Sequence, residues 1–144
     1  MSHYCEAALI TCEDFRLHQR LDGKNYIAEF IESLGMDCDL LTRAGGVQDL
    51  VRPKEHGYCD SLLRDTEVSA KLHEAQTIYL VNHEDCGAYA GMDFSSREEE
   101  LEQHYKDLVK AKKMILEKFP GKDVKLYFGE LKESPDTFEI KEKR

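Results

Sequence analysis

Apolar residues in this chain come in short runs, separated by stretches in which they recur every three or four positions. Ala7-Ala8-Leu9-Ile10-Thr11-Cys12 is nearly continuous, the pattern of a buried strand. Tyr26, Ile27, Phe30, Ile31 and Leu34 then fall on one helix face, and Gly35 follows as a stop. Asp39-Leu40-Leu41-Thr42 predicts a second strand, leading into Arg43-Ala44-Gly45-Gly46. The stretch from Ser61 to His73 predicts a helix with Leu62, Leu63 and Leu72 on its inner face. The clearest strand signal is Thr77-Ile78-Tyr79-Leu80-Val81-Asn82. A long helix is expected from Ser96, with Leu101, Tyr105, Leu108, Ala111, Ile115 and Phe119 forming its stripe and Pro120-Gly121 ending it. Val124 to Gly129 predicts a fourth strand, Thr137 to Ile140 a short edge strand, and Lys141 to Arg144 a frayed tail.

Strands that alternate with helices predict an α/β fold with a mainly parallel central sheet. About four strands plus a short edge strand would be covered by helices on both faces. The 144 residues suit a single domain spanning 1-144. No repeat or interdomain linker interrupts the pattern. With 41% hydrophobic and 34% charged residues, the composition fits a globular domain rather than a disordered chain. A formal net charge of -9 leaves no basic footprint for a phosphate backbone, so no nucleic acid partner is expected. The apolar runs are strand-sized, so no membrane span is expected either. Met1-Ser2-His3-Tyr4 lacks the basic and apolar regions of a signal peptide. Five cysteines, an odd number, then suggest reduced or metal-bound thiols in a cytoplasmic setting.

In open parallel sheets, ligands gather beyond the carboxyl ends of the strands. Cys12 closes the first strand and His83 the third, and Cys86 follows three residues later. A His-x-x-Cys step aims two side chains at one point, and Cys12 joins them if the first and third strands are neighbours. Two thiolates and an imidazole suit Zn2+, leaving a fourth position for water or a carboxylate such as Asp14. Each piece also has a plainer reading: a strand-end cysteine is commonly a small buried hydrophobe, and Asp14 with Arg16 makes an ordinary surface ion pair. The weight lies in the conjunction of Cys-x-Asp-x-Arg after the first strand with His-x-x-Cys-Gly after the third.

Cys12-Glu13-Asp14-Phe15-Arg16 and His83-Glu84-Asp85-Cys86-Gly87 together resemble the motifs of the β-carbonic anhydrases. The likeness runs from Ala7 to about Ile140 in the order of strands and helices. It implies that the first strand lies between the second and third, that Cys12, His83 and Cys86 bind Zn2+, and that the protein is a homodimer or higher homo-oligomer. The implied activity is reversible hydration of carbon dioxide to bicarbonate by a zinc-bound hydroxide. Arg16 would hold Asp14 off the metal, where the carboxylate orients the hydroxide; in a closed state Asp14 would be the fourth ligand. Backbone near Gly87 and Ala88 is a candidate for substrate or anion contact. The chain departs from the family at Arg43-Ala44-Gly45, where Arg-Asn-Ala-Gly is usual, and only about ten residues precede Cys12 where members typically carry a helical arm. It also lacks tryptophan, so Phe or Tyr must supply any aromatic wall.

Alternatives are a COS or CS2 hydrolase using the same zinc site and a non-catalytic zinc protein of the same fold. A Cys12–Cys86 redox switch would leave His83 without a purpose. His3, His18, His56, His73 and His104 are expected on the solvated surface, and Cys5, Cys38 and Cys59 as core or surface thiols. Glu84 and Asp85 contribute local charge, and Glu98-Glu99-Glu100 favours a helix N-terminus.

Overall fold

A computed structural model describes residues 3–144. Strand β1 (Ala7–Thr11) is followed by α1 (Tyr26–Leu34), β2 (Cys38–Thr42), α2 (Gln48–Val51) and α3 (Tyr58–Glu67). Then come β3 (Thr77–His83), α4 (Arg97–Lys118), β4 (Asp123–Leu131) and β5 (Phe138–Lys143). The sheet order is β2-β1-β3-β4-β5; every pairing is parallel except the antiparallel β4–β5. This is the single-domain α/β architecture expected from the alternating pattern, and β1 lies between β2 and β3, as the family resemblance implies.

All five residues of β1 are buried, because both of its faces are covered. Ala8 and Ile10 point to one side with Ile78 and Leu80, against Leu50, Leu62, Leu108, Ala111 and Ile115 of α2, α3 and α4. Ala7 and Leu9 point to the other with Tyr79 and Val81, against Ile27 and Phe30 of α1. Each of the larger side chains here contributes on the order of 1.5–3 kcal/mol by leaving water. The helices start and stop where side chains satisfy their ends. Asn25 accepts from the Ala28 amide at 2.8 Å to cap α1, and Gly35 closes it in the left-handed region at φ 68°. Ser96 accepts from the Glu99 amide at 3.1 Å to cap α4.

Three expectations fail in detail. Leu72 is 70% exposed rather than inner-facing. It lies ten residues after Leu62, which at about 100° per residue puts it about 80° off that face. Small Thr66, Ser69 and Ala70 complete the buried side, and the chain widens into a π-type turn over Val68–Leu72. Tyr105 is exposed to 36%, and His104 and Asp107 face inward beside Leu108 instead. Lys141 to Lys143 do not fray: Lys141 pairs with Phe128 and Lys143 with Leu126 in the β4–β5 ladder, which satisfies their backbone.

Candidate metal centre

In the parallel register Thr11 of β1 lies opposite Val81 of β3, so Cys12 leaves the sheet close to where β3 ends at His83. Asp85 takes the left-handed conformation at φ 61°, turning the chain back so that Cys86 faces Cys12. The ligand atoms of Cys12, His83 and Cys86 all lie within 4.8 Å of one another, all three residues are buried, and the two sulfurs are 3.8 Å apart. Gly129 of β4 is the partner of His83, and a Cβ there would sit in van der Waals contact with the His83 Cβ at 3.4 Å. Phe138 closes the same side, edge-on to the imidazole at 5.6 Å between ring centres.

His83 Nδ1 faces the Glu84 carbonyl at 2.8 Å, and since a carbonyl only accepts, Nδ1 carries the proton. Nε2 is therefore a bare lone pair, buried and without a hydrogen-bond partner among the described residues. An unspent acceptor beside two thiols is a costly arrangement for a protein interior, and it fits a cation. The Cys86 thiol donates to Cys12, which outweighs burial and, with the Gly45 amide, pulls the Cys12 thiol well below its ordinary value. The same bond, with burial, pushes the Cys86 thiol up, against the pull of the Ala88 and Tyr89 amides. Two sulfurs and one imidazole nitrogen form a donor set suited to zinc.

Asp14 caps the short turn Phe15–Leu17, accepting from the Arg16 amide at 2.9 Å. Its Oδ2 lies 3.8 Å from His83 Nε2, at the edge of the cluster. Arg16 grips the carboxylate with a two-pronged fork, Nε to Oδ1 at 3.1 Å and Nη2 to Oδ2 at 2.8 Å. The remaining Arg16 donors reach the Asp85 carbonyl at 2.9 Å, the Asp85 carboxylate at 3.1 Å and the Pro135 carbonyl at 2.7 Å. All five N–H groups of the guanidinium thus have acceptors. Burial pushes the Asp14 carboxyl up, but the Arg16 hydrogen bonds prevail and hold it below the usual range. Gly87 opens the six-residue turn Gly87–Met92, and a Cβ built on it would meet nothing within 4 Å.

A family model described as "Putative carbonic anhydrase" matches residues 2–135. The chain belongs to that family. An uncharacterized protein of Rickettsia bellii (strain RML369-C) is 34% identical over 118 residues, which cover 78% of this chain and 68% of the relative. The fold of this carbonic anhydrase-family chain is similar to a tetrameric β-carbonic anhydrase of Sordaria macrospora, with a TM-score of 0.64 and 15% identity over 98% of this chain and 81% of that one. It is also similar to a carbon disulfide hydrolase in its apo form, at a TM-score of 0.53 and 18% identity over 90% and 76% of the two chains. At these identities the two structures speak for the fold alone.

Several residues near the centre are not where the sequence suggests. His104 is fully buried, not solvated, and its Nδ1 accepts from the Asn82 amide at 3.0 Å. Its place in the steps Leu101, His104, Leu108, Ala111 and Ile115 is a signal that the choice of Tyr105 obscures. Asn82 also donates to Tyr89, which bonds to Asp107, and Arg52 reaches Asp107 at 2.6 Å. Asn82 Oδ1 lies so near Gly46 that a Cβ there would come within 2.4 Å, which together with φ +60° calls for glycine. His18 is part-buried, with Nε2 donating to the Cys12 carbonyl at 2.8 Å. Glu84 is buried too, bound to Arg97 at 2.8 Å and to the Leu131 amide at 2.9 Å. No spacing rule exposes the two Glu84 contacts, because Arg97 opens α4 and Leu131 closes β4, both apart from Glu84 in sequence.

Proposed function

We propose that the protein is a zinc-dependent hydratase that interconverts carbon dioxide and bicarbonate, with Cys12, His83 and Cys86 as the zinc ligands. The observation that carries this reading is the buried, partnerless Nε2 of His83 set against two sulfurs 3.8 Å apart. Bound zinc supplies a water acidified enough to act as a nucleophile near neutral pH. In the net reaction the water oxygen bonds to the carbon of carbon dioxide, and one proton passes to solvent.

Asp14 serves as the acceptor that orients the nucleophile's O–H. For this it must be ionised and stay out of the coordination sphere, and the Arg16 fork provides for both. Phe138 walls the cluster on the His83 side. Gly87, bordered by open space, is the position at which a small uncharged substrate has room. Release of the fork would free Asp14, whose Oδ2 is 3.8 Å from His83 Nε2, to become the fourth ligand and close the site. We take the working form to be a homodimer or higher homo-oligomer in the cytoplasm. No helix among the described residues is long and apolar enough to cross a membrane.

Stopped-flow carbon dioxide hydration, run on protein of measured zinc content, tests the proposal. Zinc near one per chain, with activity abolished by chelation and restored by zinc, is the expected result. Zinc without hydration at any pH would refute the activity. The similarity in fold to a carbon disulfide hydrolase makes CS2 and COS the next substrates for the same sample.

A further inference from the structure

The turn that carries His83 and Cys86 is held from outside the cluster, by α4. The Asp85 amide donates to Glu100 Oε2 at 2.6 Å. Glu100 stands in the first turn of α4, and one turn further His104 Nε2 lies 3.6 Å from the same oxygen. His104 Nδ1 in turn accepts from Asn82, the residue before His83. Both flanks of the turn therefore meet one pair of side chains on one helix. On its far side Asp85 presents its carbonyl and carboxylate to Arg16.

An acidic residue in a first helical turn ordinarily needs no explanation beyond the helix dipole. Glu100 differs from its neighbours in what it touches. Glu99 is turned to Ser95, whereas Glu100 is partly buried against a backbone amide whose residue has φ 61°. Asp tolerates that region better than most residues, but it still favours the turn less than glycine would, and a carboxylate on its N–H is a strong hold.

We propose that Glu100 is a positioning residue of the metal centre: its carboxylate keeps Asp85 in the left-handed turn that aims Cys86 at Cys12 and offers Arg16 its anchor. This rests on the reading of the cluster as a zinc site. Glu100 touches neither metal nor substrate and acts through Asp85.

The test compares wild type, Glu100→Ala, Glu100→Gln and Glu98→Ala. Zinc affinity is measured against a chromophoric chelator, the visible spectrum is recorded with Co(II) in place of zinc, and the Asp85 amide proton is followed by NMR in the zinc-free protein. Glu100→Ala should weaken zinc about 10–100-fold, the range for groups that orient ligands, and should shift the cobalt bands. Its Asp85 amide should move upfield and lose exchange protection. Glu100→Gln keeps a carbonyl acceptor at the same reach and should recover most of the affinity, while Glu98→Ala should match wild type. Wild-type affinity and cobalt spectrum in Glu100→Ala would overturn the inference while leaving the zinc site intact. Failure of wild type to take up zinc would overturn the metal reading itself. An unmoved Asp85 amide in Glu100→Ala overturns the hold on the turn whatever the metal does, and if Glu100→Ala does not fold, Glu100→Asp, one methylene short, takes its place with the same expectations.

Discussion

The two ends of the sheet hold similar residues and treat them in opposite ways. At the amino end, Asp39 Oδ2 accepts from His73 at 2.6 Å and from Ser69 at 2.8 Å, Cys5 donates to the Asp37 carbonyl at 3.3 Å, and Cys38 lies near the Met36 carbonyl. At the carboxyl end, Cys12, Cys86 and His83 face one another, and His83 Nε2 bonds to nothing described. The thiols show the contrast: burial pushes Cys38 up to about 11, while the bond from Cys86 outweighs burial and pulls Cys12 down. Cysteine, histidine and carboxylate together do not make a metal centre. What sets the carboxyl end apart is an acceptor left unspent in the interior beside two sulfurs, an arrangement that a bound cation would relieve.

Exchanging residues between these two settings should break the comparison if it is wrong. Cys12→Ser or Cys86→Ser should reduce zinc from one per chain to almost none by atomic absorption, and normal metal content in either would end the ligand assignment. Asp14→Ala should keep its zinc and lose hydration by about 100-fold, in the range for positioned proton acceptors; full activity would remove Asp14 from the mechanism. At the amino end, Asp39→Ala strands the buried Ser69 hydroxyl and frees His73. We expect it to cost about 1–3 kcal/mol in urea unfolding with zinc content unchanged. The smallest effect should be that of Cys5→Ser, within about 0.5 kcal/mol and with one zinc per chain. A loss of metal there would mean that the amino end is not the closed system described.

The sheet could be read from the chain because each strand is a short apolar run and each helix a stripe bounded by caps, as in Tyr26–Leu34 between Asn25 and Gly35. The pairing of Cys12 with His83 and Cys86 needed one topological assumption, that β1 and β3 are neighbours, and the sheet order meets it. What stayed hidden depends on which distant surface a side chain finds. Leu72 looks like core until Ser69 and Ala70 occupy the buried side. Glu84 looks like loose charge until Arg97 and the Leu131 amide surround it. Lys141 and Lys143 look like a tail, because charge at a chain end carries no sign of the strand beside it.

That last strand has a further consequence. As the sheet's outer member, β5 leaves one row of its backbone groups outside the β4 ladder. A bare row of this kind templates addition of another chain, and lysines along it are a standard deterrent. Lys141 and Lys143 both gather around Glu130 of β4, at 3.2 and 3.3 Å, and both stay part-exposed. A strand from another molecule that docked there would have to strip water from both ammonium groups. The residues that resemble an idle tail thus lay positive charge along the sheet's outer flank, the kind of charge that discourages edge-to-edge pairing.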